Sequence, residues 1–186
     1  MSDPPREAPR VGREHASSLV IVNTGDGKGK TTAAMGIVMR AVARGWRVAV
    51  AQFVKSGGWR AGEEEIAPTL GVEWAALGDG FTWDAGDLDR SAEIARAAWA
   101  LASSWIAEGG HDVVVLDEIT YPMTWGWIAT ADVVAAIRDR PRHVHIVATG
   151  RDAPPELLDV ADTVTEMVSR RHAFDRGVPA RRGIDF

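Results

Sequence analysis

Thr24-Gly25-Asp26-Gly27-Lys28-Gly29-Lys30-Thr31-Thr32 is a glycine-rich run ending in Gly-Lys-Thr, and its flanks decide the fold. Before it, Leu19 to Val22 is a short apolar, β-branched run that reads as a buried strand. After it, Lys30 to Arg44 reads as a helix, with Gly45 at its C′ position. A strand, a glycine turn and a helix in that order make a phosphate cradle. The glycines let the backbone curl so that successive N–H groups face anionic oxygens, and the helix N-terminus adds positive potential. Lys30 is placed to reach outer phosphates and Thr31 to ligate a divalent metal. Every residue from Thr24 to Thr32 is thus a candidate for nucleotide binding, and Lys30 is also a candidate catalytic group. The usual pattern has a glycine four residues removed from the final Gly-Lys-Thr, and here that position is Thr24. The loop is therefore one residue short, with an extra lysine, Lys28.

Outward from the loop, Val48 to Phe53 is a second buried strand, so the N-terminal part already holds a strand, helix, strand crossover. The stretch 56–87 is rich in glycine and acidic residues and reads mostly as loop, with a short helix over Glu63 to Thr69 and a strand near Val72. Leu88, Ala92, Ala95, Trp99, Ala102 and Ile106 then recur at helical spacing and define one apolar face. Val113 to Leu116 is a third strand, Asp132 to Arg138 a helix with Thr130 or Asp132 near its N-cap, and His143 to Ala148 a fourth strand. Glu156 to Val160 and Thr163 to Val168 continue the alternation. The expected fold class is α/β: a mostly parallel sheet covered by helices on both faces, of the P-loop NTPase-like kind. Residues 1–18 carry three prolines and no sustained apolar period, and are expected to be a flexible arm before a single domain over 19–186.

Asp117 and Glu118 stand at the carboxyl end of the Val113 strand, where ligands bind in open parallel sheets. With Thr31 they supply hard oxygen donors suited to Mg2+ or Mn2+, and are the candidate metal ligands. A glutamate at this place also serves ATPases that activate water, so the pair by itself leaves phosphoryl transfer open. Arg151, following Thr149-Gly150, lies at the same sheet edge and is a candidate for phosphate contact. His143 and His145 share the side of one strand, yet no third ligand is near in sequence, and they read as structural.

Composition narrows the partners. The chain of 186 residues has a formal net charge of −5 and no long basic run, which argues against nucleic acid. It has no cysteine, which excludes disulfide scaffolds and thiolate metal sites and suits a reducing compartment. No apolar run approaches the length of a membrane span, and the first residues lack a signal-peptide core, so a cytoplasmic protein with no membrane partner is expected. Eight tryptophans accompany one tyrosine, which provides large flat surfaces for a core, a dimer interface or a flat ligand.

Beyond the loop, Gln52-Phe53-Val54-Lys55, Gly80-Phe81-Thr82-Trp83, Val115-Leu116-Asp117-Glu118-Ile119-Thr120-Tyr121 and Thr149-Gly150-Arg151 follow in order. His172-Ala173-Phe174-Asp175-Arg176-Gly177-Val178 and Gly183-Ile184-Asp185-Phe186 close the series. With these motifs the chain resembles the ATP-dependent corrinoid adenosyltransferases of the P-loop type, whose loop is itself short. The resemblance implies that ATP and a corrinoid are the substrates, with Mg2+ or Mn2+. It implies attack of cobalt(I) on C5′ of ATP with release of triphosphate, in synthesis or salvage of adenosylcobalamin. It further implies that Phe81 and Trp83 lie under the corrin ring and displace its lower axial ligand, which eases reduction of cobalt(II). A homodimer, an arm that covers the corrinoid and an electron-donating flavoprotein are also implied. A corrinoid carrier without catalysis would not need an intact phosphate loop.

Overall fold

The computed structural model describes residues 17–56, 61–78 and 88–185. Phe81 and Trp83 lie outside the described residues, as does the expected arm apart from Ser17 and Ser18.

Six strands form one sheet: β1 (Val20–Thr24), β2 (Val48–Ser56), β3 (Glu73–Gly78), β4 (Val113–Asp117), β5 (His145–Thr149) and β6 (Thr163–Glu166). Their spatial order is β3-β2-β4-β5-β1-β6 and every pairing is parallel. The helices are α1 (Lys30–Val42), α2 (Gly62–Ile66), α3 (Leu88–Glu108), α4 (Thr120–Thr124), α5 (Thr130–Asp139) and α6 (Pro155–Leu158), with a 3₁₀ turn at Phe174–Arg176. Parallel strands need crossovers, and those crossovers cover both faces. On one face Ala34, Val38 and Ala41 of α1 pack with Val50 and Val115; on the other Ala95, Ala98 and Ala102 of α3 pack with Ala49, Val114 and Ile146. All five residues of β4 are buried, as expected of a strand sandwiched between helical layers.

The apolar runs anticipated these elements, with shifts that have local causes. Helix α1 ends at Val42, two residues short of Arg44, and Gly45 sits one position beyond C′ with φ +74°, donating its N–H to Val42 O. Helix α5 begins at Thr130 after an extended Ala129, and no side chain caps it, so neither Thr130 nor Asp132 fills the N-cap role. The predicted α3 face is buried at Ala92, Ala95, Ala102 and Ile106, whereas Leu88 at the helix start is 56% exposed. Ala98 and Trp105 widen the buried stripe.

His143 is not in β5. It lies in the preceding turn with Nε2 3.0 Å from Gly109 O, while His145 opens the strand and its Nδ1 accepts the Leu19 N–H at 3.0 Å. Burial, then the Arg140 charge, holds the His145 imidazole below the ordinary histidine value. That favours the neutral ring which such an acceptor needs.

Candidate functional site

The carboxyl ends of β1, β4 and β5 meet at one edge of the sheet, and each delivers part of a polar constellation. From β1 comes the loop. Gly29, at φ +111°, is the N-cap of α1, and no side chain caps that helix, so its first-turn amides are not claimed by a cap. Lys30 extends back across the loop, its Nζ donating to Gly25 O at 2.6 Å and Gly27 O at 2.8 Å. Its own loop thus fixes where the ammonium sits. Burial, then the nearby Arg151 charge, pushes the Lys30 pKa below the ordinary lysine value, while Asp26, Glu118 and Asp117 oppose the shift.

The chain after β6 backs this loop. Met167 N–H donates to Thr24 O at 2.8 Å, and Gly27 N–H donates to Met167 O at 2.6 Å. A Cβ on Gly25 or Gly27 would come within 2.6 and 2.8 Å of Met167 O, so both glycines are required by this close approach. Sequence reading assigned the glycines to curling around phosphate and missed their second task, because Met167 is remote in the chain.

From β4 come the carboxylates. Asp117 is fully buried, and three donors converge on it. Thr31 Oγ1 and Thr149 Oγ1 donate to its Oδ1 at 2.9 and 2.7 Å, and Gln52 Nε2 donates to Oδ2 at 2.8 Å. Glu118 follows with φ +64°, a left-handed conformation unusual for a residue with a Cβ, and its N–H donates to Thr149 Oγ1 at 2.9 Å. Thr149 therefore holds both acidic residues. Gln52 and Thr149 had received no role, although a polar residue ending a buried strand was a visible signal.

Glu118 opens into a cavity of about 760 Å3 that is also lined by the loop from Asp26 to Thr32 and by Arg151. Arg151 is exposed, with Nη1 3.8 Å from Asp26 Oδ1, a surface pair of small energetic weight. Its carbonyl accepts the Thr120 hydroxyl at 2.6 Å, which fixes the β5 turn to α4. Lys28 pairs with Asp185 from the C-terminal segment, which also lines the cavity. Thr32 is exposed, and Thr24 is buried with its Oγ1 accepting the Ala153 N–H at 3.3 Å. Of the predicted site residues, the described ones thus gather at one edge. Thr24 and Gly25 are not part of the cavity lining, and Asp117 sits behind it.

Glu118 and Thr31, which line the cavity, offer oxygen donors of the kind that could hold a hard divalent cation, and the buried Asp117 behind them accepts the Thr31 hydroxyl. No cluster of three or more imidazole or carboxylate groups occurs among the described residues. A cavity that joins a lysine-bearing loop, a helix N-terminus and an arginine offers donors and positive charge to a polyanion.

Comparison with known proteins extends this reading. The family model described as ATP:corrinoid adenosyltransferase BtuR/CobO/CobP matches residues 16–186. The corrinoid adenosyltransferase of Escherichia coli K12 is 41% identical over 168 residues, covering 90% of this chain and 85% of the relative. The corrinoid adenosyltransferase CobA of Salmonella typhimurium LT2 matches to the same extent, at 41% identity over 168 residues, 90% of this chain and 85% of the relative. That of Pseudomonas aeruginosa is 39% identical over 170 residues, covering 90% of this chain and 83% of the relative.

Proposed function

Because the chain belongs to the BtuR/CobO/CobP family of ATP:corrinoid adenosyltransferases, we infer that it transfers the 5′-deoxyadenosyl group of ATP to the cobalt of a corrinoid in cobalamin biosynthesis. The observation that carries this reading is the match over nearly the whole chain, in which the loop, Glu118 and Arg151 line one cavity and Asp117 lies behind it. In the transfer, the cobalt(I) electron pair forms a Co–C5′ bond, the C5′–O5′ bond breaks, and its electrons leave with triphosphate. Displacement at carbon requires no general base. It requires stabilisation of the departing polyanion and an open approach to C5′.

The residues divide that work. The loop amides that face the cavity, other than that of Gly27, which Met167 takes, and the Lys30 ammonium bind the triphosphate, helped by Lys28, Thr32 and Arg151. The donor set fits Mg2+ or Mn2+, which when bound supplies charge neutralisation to the leaving triphosphate. Glu118, which faces the cavity, is the direct carboxylate ligand. Asp117 acts through Thr31, since its oxygens already accept from Thr31, Thr149 and Gln52. Phe81 and Trp83 remain assigned to the lower face of the corrin ring on the strength of the motif. Residues 19–186 act as one domain, in a cytoplasmic homodimer that receives electrons from a flavoprotein.

The test is product identity. Incubation with ATP, Mg2+ and chemically reduced cobalamin should give adenosyl-cobalt and triphosphate in equal amounts. ADP and phosphate without an adenosyl-cobalt product would overturn the assignment in favour of phosphoryl transfer.

A further inference from the structure

One part of the cavity wall has no task in phosphate or metal binding. Immediately after Glu118, helix α4 carries Tyr121, and the turn beyond it carries Trp125 and Trp127. Their rings form a continuous series. Tyr121 stacks on Trp125 with centroids 5.4 Å apart and planes at 28°, and Trp127 meets Trp125 at 4.7 Å and 58°. The backbone fixes this arrangement, because Trp125 N–H donates to Tyr121 O and Trp127 N–H to Pro122 O, both at 2.9 Å. Trp127 packs against the main core, whereas Trp125 is 38% exposed. Tyr121 and Trp125 line the same cavity as Lys30, Thr31 and Glu118.

An indole on which one ring stacks and against which another tilts is pre-ordered, and at 38% exposure it keeps surface open, so a planar ligand that stacks there loses little further side-chain freedom. We propose that Trp125 is the platform for the adenine of ATP, with Tyr121 and Trp127 holding its plane. The proposal rests on the adenosyl-transfer reading and adds to it the group that positions the nucleoside. With the triphosphate anchored on the loop and the base on Trp125, the ribose between them is held at both ends, and C5′ is oriented for attack. A purine has two bare faces and suits such a platform. A corrin ring carries side chains projecting above and below its plane and offers no such bare face. The other apolar lining residues among the described ones fit less well. Val54 is 4% exposed and offers no ring, and Phe174 is 73% exposed on a short 3₁₀ turn.

The experiment is calorimetric titration of the full chain with Mg-ATP and, separately, Mg-tripolyphosphate, for wild type, Trp125→Ala and Trp125→Phe, without corrinoid. Trp125→Ala should weaken ATP binding by about tenfold or more, the order of one base-on-ring contact, and leave tripolyphosphate binding unchanged. Trp125→Phe should restore most of the ATP affinity. Unchanged ATP affinity in Trp125→Ala overturns the proposal, and so does an equal loss for both ligands, which would place the effect at the loop. Intact ATP affinity together with weakened binding in a separate cobalamin titration of the same variant reassigns the platform to the corrinoid and overturns it as well. Product analysis of the same variants keeps the two readings separate. Adenosyl-cobalt formed by a variant with unaltered ATP affinity sinks the platform alone, whereas ADP as product sinks the transfer reading and leaves the base contact to the titration.

Discussion

Lys30 illustrates how a single side chain is tuned by its own loop. Two loop carbonyls hold its ammonium, burial and Arg151 lower its pKa, and a bound polyanion would reverse that shift. Lys30→Ala removes charge-assisted contacts to a leaving group that gains charge, an effect of about 2–4 kcal/mol, so turnover should fall on the order of a hundredfold. Near-normal turnover by a folded variant would refute the role. The sign of the pH effect follows from the direction of the shift. The ammonium is the binding form, it is lost as pH rises through a pKa lying below the ordinary lysine value, and ATP affinity should therefore decline on the alkaline side. Titration calorimetry across that range, with Lys30→Arg as a control that stays charged, would show it. At the neighbouring carboxylates, Glu118→Gln should weaken Mn2+ binding directly. Asp117→Asn should weaken it less and should also destabilise the fold, because it leaves one of three converging donors without an acceptor. Manganese EPR in the presence of ATP measures both, and unchanged affinity in each variant would remove the metal site.

At the scale of elements, α3 lies close to the sheet because its inward positions are small. Ala95, Ala98 and Ala102 are buried, with Ala98 and Ala102 at 0% exposure, so a larger side chain has nowhere to go. Ala98→Leu should lower stability by about 1–3 kcal/mol through overpacking, read as a lower urea midpoint with little change in slope. Ala95 and Ala102 were legible in the sequence as part of the helical face, as were the strands that read as unbroken apolar runs, whereas Ala98 lay off that face. Helix α4 was not. Its five residues, Thr120–Thr124, include Pro122 and are too few for a period to emerge, so Tyr121 and Trp125 could not be placed on one wall. The loop and the Asp117-Glu118 pair were legible because each is a local motif at a strand end. Gln52, Thr149 and Met167 were not assigned, since their partners come from other strands and only pairing register brings them together.

For the whole molecule, the cavity draws on the first strand, the middle of the sheet and the C-terminal segment at once. A ligand bound there binds only when all three are assembled. Mg-ATP at a hundredfold excess over its dissociation constant should therefore stabilise the fold by about 2.7 kcal/mol, and thermal unfolding should report this as a concentration-dependent rise in Tm. A Tm insensitive to ATP would mean that the cavity is not where the nucleotide binds.

The parallel pairing of β6 with β1 has a consequence for biogenesis. No two neighbouring strands can form a hairpin, so every pairing waits for an intervening crossover to be made. During synthesis β1 and its loop emerge before the other five strands, but Met167, which accepts the Gly27 N–H and donates to Thr24, emerges only after all six. Until then the nascent polypeptide carries an unbacked glycine loop and an open strand edge, so the loop reaches its final shape only once the sixth strand has been made.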